Sequence, residues 1–349
     1  MTATILRADA RAIPLPDASV DLIVTSPPYY GLRSYTDGGE HYAAQIGAEQ
    51  SPAEFVASLI DCTREWMRVL KPTGSMFVNL GDSYYSGKGA PGRTTIDGKN
   101  AGRTARRTGT SPLDASGLGF PRKSLLLLPE RYRIACLDQL GLVVRAVAIW
   151  SKPNGLPEGQ VRDRVHRTHE DWVHLTLSPS YYSDCDAIRQ PHAAWTAKAY
   201  EYERTGYNRR TNADRVDAGG FAKPPVVNPL GKMPGSVWEI AGEPLKVPEH
   251  LDVDHFAAFP IEWPRRIVQG WSPAGGTVLD PFGGTGTTAL VASVLGRHGI
   301  SVDRSADYCR LARWRTTDPA QRAKAARQPK PAQQLDGQGD LFGFVGAVA

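Results

Sequence analysis

Short apolar runs alternate along this chain with stretches of helical period, and most of the runs stop at a glycine, a proline or an acid. Residues 4–9, Thr-Ile-Leu-Arg-Ala-Asp, predict a strand ending in Asp9. Residues 20–24, interrupted only by Asp21, predict a buried strand. A helix opens at Ser51, which can cap it, with Pro52 suited to the first position and Glu54 completing a capping box. Phe55, Leu59, Cys62, Trp66 and Val69 give that helix an apolar face, and residues 70–74 end it. Strands are predicted at residues 75–80, 142–150, 172–177 and 238–240, with a helix at 131–140. In the last third, helices at 261–269, 289–295 and 308–314 alternate with strands at 278–279 and 299–303. Such alternation predicts an α/β fold.

Two segments break the pattern. Residues 84–120 have no hydrophobic period and are rich in Gly, Arg and Thr, so they predict a long basic loop insertion. Between Lys88 and Arg107 it carries Lys88, Arg93, Lys99, Arg103, Arg106 and Arg107 against a single acid, Asp97, which suits contact with phosphates. Residues 183–235 interleave Trp195, Tyr200, Tyr202 and Tyr207 with Arg204, Arg209 and Arg210, a mixture that can stack on and neutralise nucleic acid or fill a small accessory subdomain. Beyond Asp318 the composition turns to Pro, Gln, Ala and Gly, predicting a disordered tail over 319–349.

Composition narrows the class. A chain of 349 residues with 41% hydrophobic content can hold one large α/β domain with insertions, or two modest ones. The net charge of +5 is compatible with a polyanionic partner. Cys62, Cys136, Cys185 and Cys309 are scattered, which predicts free thiols in a reducing cytoplasm rather than a zinc site or a disulfide framework. His166, His169 and His174 match no standard zinc spacing and are read as structural or surface residues. No leader or membrane-spanning run is evident, so a soluble, cytoplasmic protein is expected.

Chemistry concentrates at two strand ends. The first predicted end reads Thr25-Ser26-Pro27-Pro28-Tyr29. Consecutive prolines stiffen the loop and remove two N–H donors, leaving carbonyls beside one hydroxyl and one aromatic ring. Ser26 Oγ and the Pro27 carbonyl can accept the two hydrogens of a base's exocyclic amine while Tyr29 stacks on the ring. The second is Asp280-Pro-Phe-Gly-Gly-Thr-Gly-Thr-Thr288, a strand, glycine turn and helix, with Asp303 closing the next strand. That order suits a nucleoside: glycines admit a ligand, the helix N-terminus favours an anion, and Asp303 can accept from ribose hydroxyls. A P-loop is excluded because its lysine is absent, whereas Gly284-x-Gly286-x-x-Ala289 leaves NAD as an alternative. Asp280 before the glycines fits S-adenosylmethionine better, since it could meet that ligand's ammonium group.

Together these two stretches resemble the DNA amino-methyltransferase family, which methylates cytosine-N4 or adenine-N6. The catalytic motif precedes the cofactor motif here, as in the permuted arrangement called the beta group. Further matches are Val69-Leu-Lys-Pro-Thr-Gly74, Asn79-Leu-Gly-Asp-Ser83, Trp150-Ser-Lys-Pro-Asn154 and His255-Phe-Ala-Ala-Phe-Pro260. The resemblance implies a Rossmann-like methyltransferase fold with a mostly parallel seven-stranded sheet. It implies a catalytic domain over 1–318, target recognition within 183–235, and a strand closing on Asp303 beside the one closing on Asp9. By the same resemblance, Ser26, Pro27, Pro28 and Tyr29 grip the flipped base, and Asp280, Phe282, Gly284, Gly286 and Asp303 hold S-adenosylmethionine. Asp9 would meet the adenine of that cofactor, and Phe256 and Phe259 would flank its methionine end. Asp303 stands where glutamate is often found, a shorter side chain that still reaches a ribose hydroxyl.

Serine at the first motif position points to cytosine-N4 over adenine-N6. The expected partner is double-stranded DNA, bound by a monomer or homodimer without a metal, in a bacterial or phage setting. Gln338-Gly-Asp-Leu-Phe342 also resembles the short peptides that dock on bacterial sliding clamps. Outside this family, an NAD-dependent oxidoreductase and a non-catalytic DNA-binding protein remain as rival readings.

Overall fold

The computed structural model describes residues 2–31, 36–37, 40–41, 45–85, 119–121, 123–155, 161–192, 228–251, 253 and 258–327. Its strands are β1 (Ala3–Arg7), β2 (Val20–Thr25), β3 (Thr36–Asp37), β4 (Glu40–His41), β5 (Leu70–Leu80), β6 (Val143–Ser151), β7 (His169–Thr176), β8 (Val237–Glu239), β9 (Thr277–Asp280) and β10 (His298–Asp303). Its α-helices are α1 (Pro52–Val69), α2 (Leu128–Leu140), α3 (Glu262–Trp271), α4 (Thr287–Val294), α5 (Ala306–Thr317) and α6 (Pro319–Ala326). The basic cluster at Lys88, Arg93, Arg103, Arg106 and Arg107 lies outside the described residues, as do Arg209, Arg210, Phe256 and the tail peptide 338–342.

Among the described residues, eight strands form one sheet in the order β1-β10-β9-β2-β5-β7-β6-β8. The run from β1 to β5 is parallel throughout, whereas β7 lies antiparallel to both β5 and β6. All eight runs read as strands join the sheet, one more than the seven that the resemblance implies, and the short β8 pairs parallel to β6 at its edge. As expected, the strand closing on Asp303 adjoins the one leading to Asp9, with Arg7 opposite Asp303.

Strand β2 is buried on both faces and contributes to two cores. Ile23 packs with Phe55, Leu59, Trp66, Tyr132 and Ile300 in one. Leu22 and Val24 pack with Phe77, Trp172, Trp263 and Val278 in the other. In the second core Trp263 is sandwiched between Trp172 and Trp238, with ring centroids 5.0 and 4.7 Å away. His174 belongs to this interior too: it stacks on Phe77 at 4.2 Å, and burial pushes its imidazole down to about 3. It is a structural histidine, as its spacing suggested.

Some boundaries differ from the sequence reading. The capping box at Ser51 and Glu54 is formed as predicted. However, β5 starts at Leu70, directly after α1, because a register shift opposite Val20 and Leu22 absorbs residues 71–74. The folded chain also continues past Asp318. Asp318 caps α6, and Ala325 is buried within a cluster with Ile261, Leu290 and Val291. The tail predicted from 319 is therefore helical to Ala326.

Candidate active site

Because β2 and β5 run parallel with Thr25 opposite Val78, the first residue past β2 comes beside Asn79. Ser26 Oγ donates to Asn79 Oδ1 at 3.2 Å. The Tyr29 hydroxyl lies 2.8 Å from that same oxygen and 2.7 Å from Glu170 Oε2. Asn79 Nδ2 donates to the Asp171 carbonyl at 3.1 Å, and this bond fixes which way the amide faces. With Oδ1 turned towards the loop, the Ser26 proton points into the protein and the oxygen's lone pairs remain for a ligand. Glu170 is itself paired with Lys152, whose Nζ sits 4.2 Å from the centre of the Trp150 ring. Burial, followed by the negative charge of Glu170, pushes the Tyr29 phenol well above its ordinary pKa, so it stays neutral. Gly81 lies against the tyrosine ring: a Cβ there would come within 2.6 Å of Cε2. Pro27 is buried and Pro28 half-buried, so the loop is held from both ends.

The second constellation is at the tip of β9. Asp280 is 1% exposed, and its carboxylate accepts from the Thr25 hydroxyl at 2.7 Å, the Thr288 hydroxyl at 2.9 Å and the Phe282 amide at 3.1 Å. Both oxygens are therefore satisfied inside the protein. Asp280 thus acts as a tie between the two strand tips. The Thr288 hydroxyl also lies 3.2 Å from the Val24 carbonyl, a second link between them.

The glycines divide by task. A Cβ on Gly283 would come within 1.8 Å of Ser301 Oγ, so this position is glycine because β10 packs against it. Gly284 has φ +47°, and a Cβ there would meet only the Phe282 carbonyl, at 3.9 Å. Its outer side is open to a ligand. Gly284 N–H donates to Asp303 Oδ2 at 2.9 Å, and Ser305 N–H to Oδ1 at 2.8 Å, so Asp303 shapes the glycine loop. Gly286 begins α4 with φ +73° and lies close to Ala312.

Asp9, beyond the end of β1, is gripped by the Arg11 guanidinium at 2.8 and 3.0 Å, which holds its carboxyl below the usual range. Phe282 is half-buried with its ring edge against Trp66, and Phe259 packs edge-on to Trp172 at 5.4 Å.

Five contributors carry no role in the sequence reading. Thr25 and Thr288 join the tips, Asn79 orients Ser26, and Glu170 with Lys152 braces Tyr29. Asn79 and Lys152 stand within stretches that resemble family motifs; Glu170 has no local signal, because antiparallel β7 alone delivers it. Among the described residues no group of His, Cys, Asp or Glu could hold a metal ion, and no helix is long and apolar enough to cross a membrane.

Known proteins resemble this arrangement along most of the chain. A profile for N6/N4-type DNA methylases matches residues 20–313. The type II methyltransferase M.SmaI of Serratia marcescens is 36% identical over 297 residues, spanning 84% of this chain and 83% of that protein. M.Cfr9I of Citrobacter freundii, also a type II methyltransferase, is 32% identical over 312 residues, 89% of this chain and 86% of its own. Among solved structures, the PvuII DNA methyltransferase, described as cytosine-N4-specific, superposes with a TM-score of 0.59 at 17% identity, covering 94% of this chain and 91% of that one. A putative DNA modification methylase of Thermus thermophilus, solved in complex with S-adenosyl-L-methionine, gives a TM-score of 0.50 at 21% identity, covering 95% and 98%. At these identities the two superpositions show a shared fold.

Proposed function

Since the chain belongs to the N6/N4 DNA methylase family, we propose that it transfers a methyl group from S-adenosylmethionine to the exocyclic amine of a flipped base in double-stranded DNA, and that the base is cytosine, methylated at N4. The observation that carries this reading is the 2.7 Å bond from Thr25 to Asp280. It brings the Ser-Pro-Pro-Tyr loop alongside the glycine loop, close enough for one ligand to face another. The cradle fits the cofactor through the open side of Gly284, the N-terminus of α4 beside it, the half-exposed Phe282 and the carboxylate of Asp303. Asp9 closes its far end.

When bound, S-adenosylmethionine supplies a methyl carbon already activated by its sulfonium. The remaining work falls to this chain. Asn79 Oδ1 accepts a hydrogen bond from the Ser26 hydroxyl, so the Oγ lone pairs are left to accept one amine hydrogen; the Pro27 carbonyl accepts the other. Two acceptors favour a pyramidal nitrogen and aim its lone pair at the methyl carbon, a gain made by positioning and directed hydrogen bonds. Tyr29, its hydroxyl anchored by Asn79 and Glu170, offers a ring face to a base that has left the stack. A base stacked in the duplex does not reach this pocket, so extrusion precedes transfer. Lys88, Arg93, Arg103, Arg106 and Arg107 in the 84–120 insertion, with Arg209 and Arg210 in the 183–235 region, contact the phosphates. The serine at position 26 and the cytosine-N4-specific PvuII neighbour support cytosine over adenine.

The test is expression in a methylation-deficient host, nucleoside mass spectrometry of its DNA, and single-molecule sequencing. N4-methylcytosine at one recurrent sequence, lost in Ser26→Ala, is the expected result. N6-methyladenine instead would move the target base, and the absence of both would overturn the enzymatic reading.

A further inference from the structure

The connection between β6 and β7 carries a surface that the grip on the base does not use. It rejoins the sheet at Thr168, whose carbonyl accepts the Lys152 backbone N–H at 2.8 Å. Upstream, Asp163 pairs with Lys123. Between these ties the Arg164 guanidinium lies over the Tyr84 ring, 3.7 Å from its centre. Tyr84 follows the tip of β5, and Lys152 reaches Glu170 beside Tyr29. Residues 161–168 therefore form a strap fastened across the tips of β5, β6 and β7, at the rim of the pocket that holds Ser26 and Tyr29.

At the crest of the strap is Val165, 87% exposed, the most exposed large apolar side chain among the described residues. An aliphatic side chain gains by leaving water, yet here the ties on either side hold it out. Its neighbours are Arg162, Arg164, His166 and Arg167, and the one acid among them, Asp163, is already neutralised by Lys123. A cationic surface with one apolar projection is complementary to a polyanion that has an apolar interior, which is the description of a base stack between phosphates.

We propose that Val165 is a wedge that enters the duplex where the target base departs, while Arg162 and Arg167 hold the phosphates on either side. This rests on the base-flipping reading above and deepens it. Extrusion leaves a gap in the stack, and collapse of that gap competes with the extruded state. A small apolar side chain fills the gap without seeking a hydrogen-bond partner. The strap's attachment to Lys152 and Tyr84 sets the wedge beside the pocket, so filling the gap and receiving the base are one movement.

The experiment uses the full chain and two duplexes carrying the methylated sequence found by genome sequencing. In one the target base is normally paired; in the other it faces an abasic position, so little holds it in the stack. Val165→Gly is expected to lower kcat/KM on the paired duplex tenfold or more, and to stay within twofold of the unsubstituted chain on the abasic one. Binding of S-adenosylhomocysteine, followed by calorimetry, is expected to be unchanged and serves as the check on folding. Replacing Arg162 and Arg167 with alanine should flatten the dependence of log K on log salt by roughly 0.9 for every phosphate no longer neutralised. Equal losses on both duplexes, or no loss on the paired one, would overturn the wedge while leaving the methyltransferase assignment intact. An unsubstituted chain that methylates neither duplex would instead defeat the assignment and the wedge with it.

Discussion

Enclosure of Asp280 has a consequence that can be measured through pH. Burial raises its carboxyl from an ordinary 3.8 to about 7, against the opposing pull of the Thr25, Thr288 and Phe282 hydrogen bonds. Below pH 4 the group is protonated in folded and unfolded chains alike. Between pH 4 and about 7 only the folded chain keeps the proton, so stability falls as pH rises through that window. Asp280→Asn keeps an acceptor for Thr25 and Phe282, and Thr288 can turn its proton to Val24. Denaturation from pH 4 to 8 should therefore show the unsubstituted chain losing ground to this variant, by an upper limit of about 4 kcal/mol at roughly 1.4 kcal/mol per pKa unit. Parallel curves would show that Asp280 titrates like an exposed acid. Gly283 supplies a second test. Gly283→Ala drives a methyl group against Ser301 Oγ and should cost about 1–3 kcal/mol. Adding Ser301→Gly removes the obstructing side chain and should return most of the loss in a double-mutant cycle. At this scale the sequence was readable in part. Residue types at both tips marked the two stretches that the Thr25–Asp280 bond joins. The inward turn of Asp280 was not visible, because a motif states which acid is present and not which way it faces.

Among the elements, those with strong apolar period were legible, since a strand buried on both faces or an amphipathic helix leaves a continuous pattern. The helix α6 left none: its buried face consists of Ala323 and Ala325, and its remaining residues are those of a solvated tail. Yet it is fastened by Arg322 to the Ser293 hydroxyl and by Lys324 to Glu243, over Leu290 and Val291. Chains ending after residue 327 and after residue 318 separate these readings. The first should melt as the full chain does. The second should melt several degrees lower, at roughly 2–4 °C for each kcal/mol lost, and equal melting temperatures would make α6 ornamental. Glu170 teaches the complementary lesson. No local signal marks it, and only the antiparallel pairing of β7 with β5 carries it to Tyr29.

For the whole molecule, the α/β class followed from the alternation of strands and helices, and the adjacency of the strands leading to Asp9 and Asp303 from the family resemblance. The short run at 238–240 was legible as a strand, but not its pairing, because its partner β6 is distant in sequence. The basic excess belongs to this scale because its effect is a field. Substituting Arg103, Arg106 and Arg107 together should reduce the slope of log K for duplex DNA against log salt by roughly 0.9 for each phosphate they neutralise. An unchanged slope would place that segment away from the DNA.

The sheet order also dictates how a nascent chain comes together. Strand β9 sits between β2 and β10, and among the described strands β1 pairs with β10 alone. Everything from β2 to β8 can pair while the ribosome is still at work, but the open edge of β2 waits for residues 277–280, and β1 waits longer still. For most of its synthesis the polypeptide thus exposes an unpaired hydrophobic strand, the kind of edge that recruits another chain. The glycine loop at 283–286, which follows β9, is accordingly among the last parts of the fold to form.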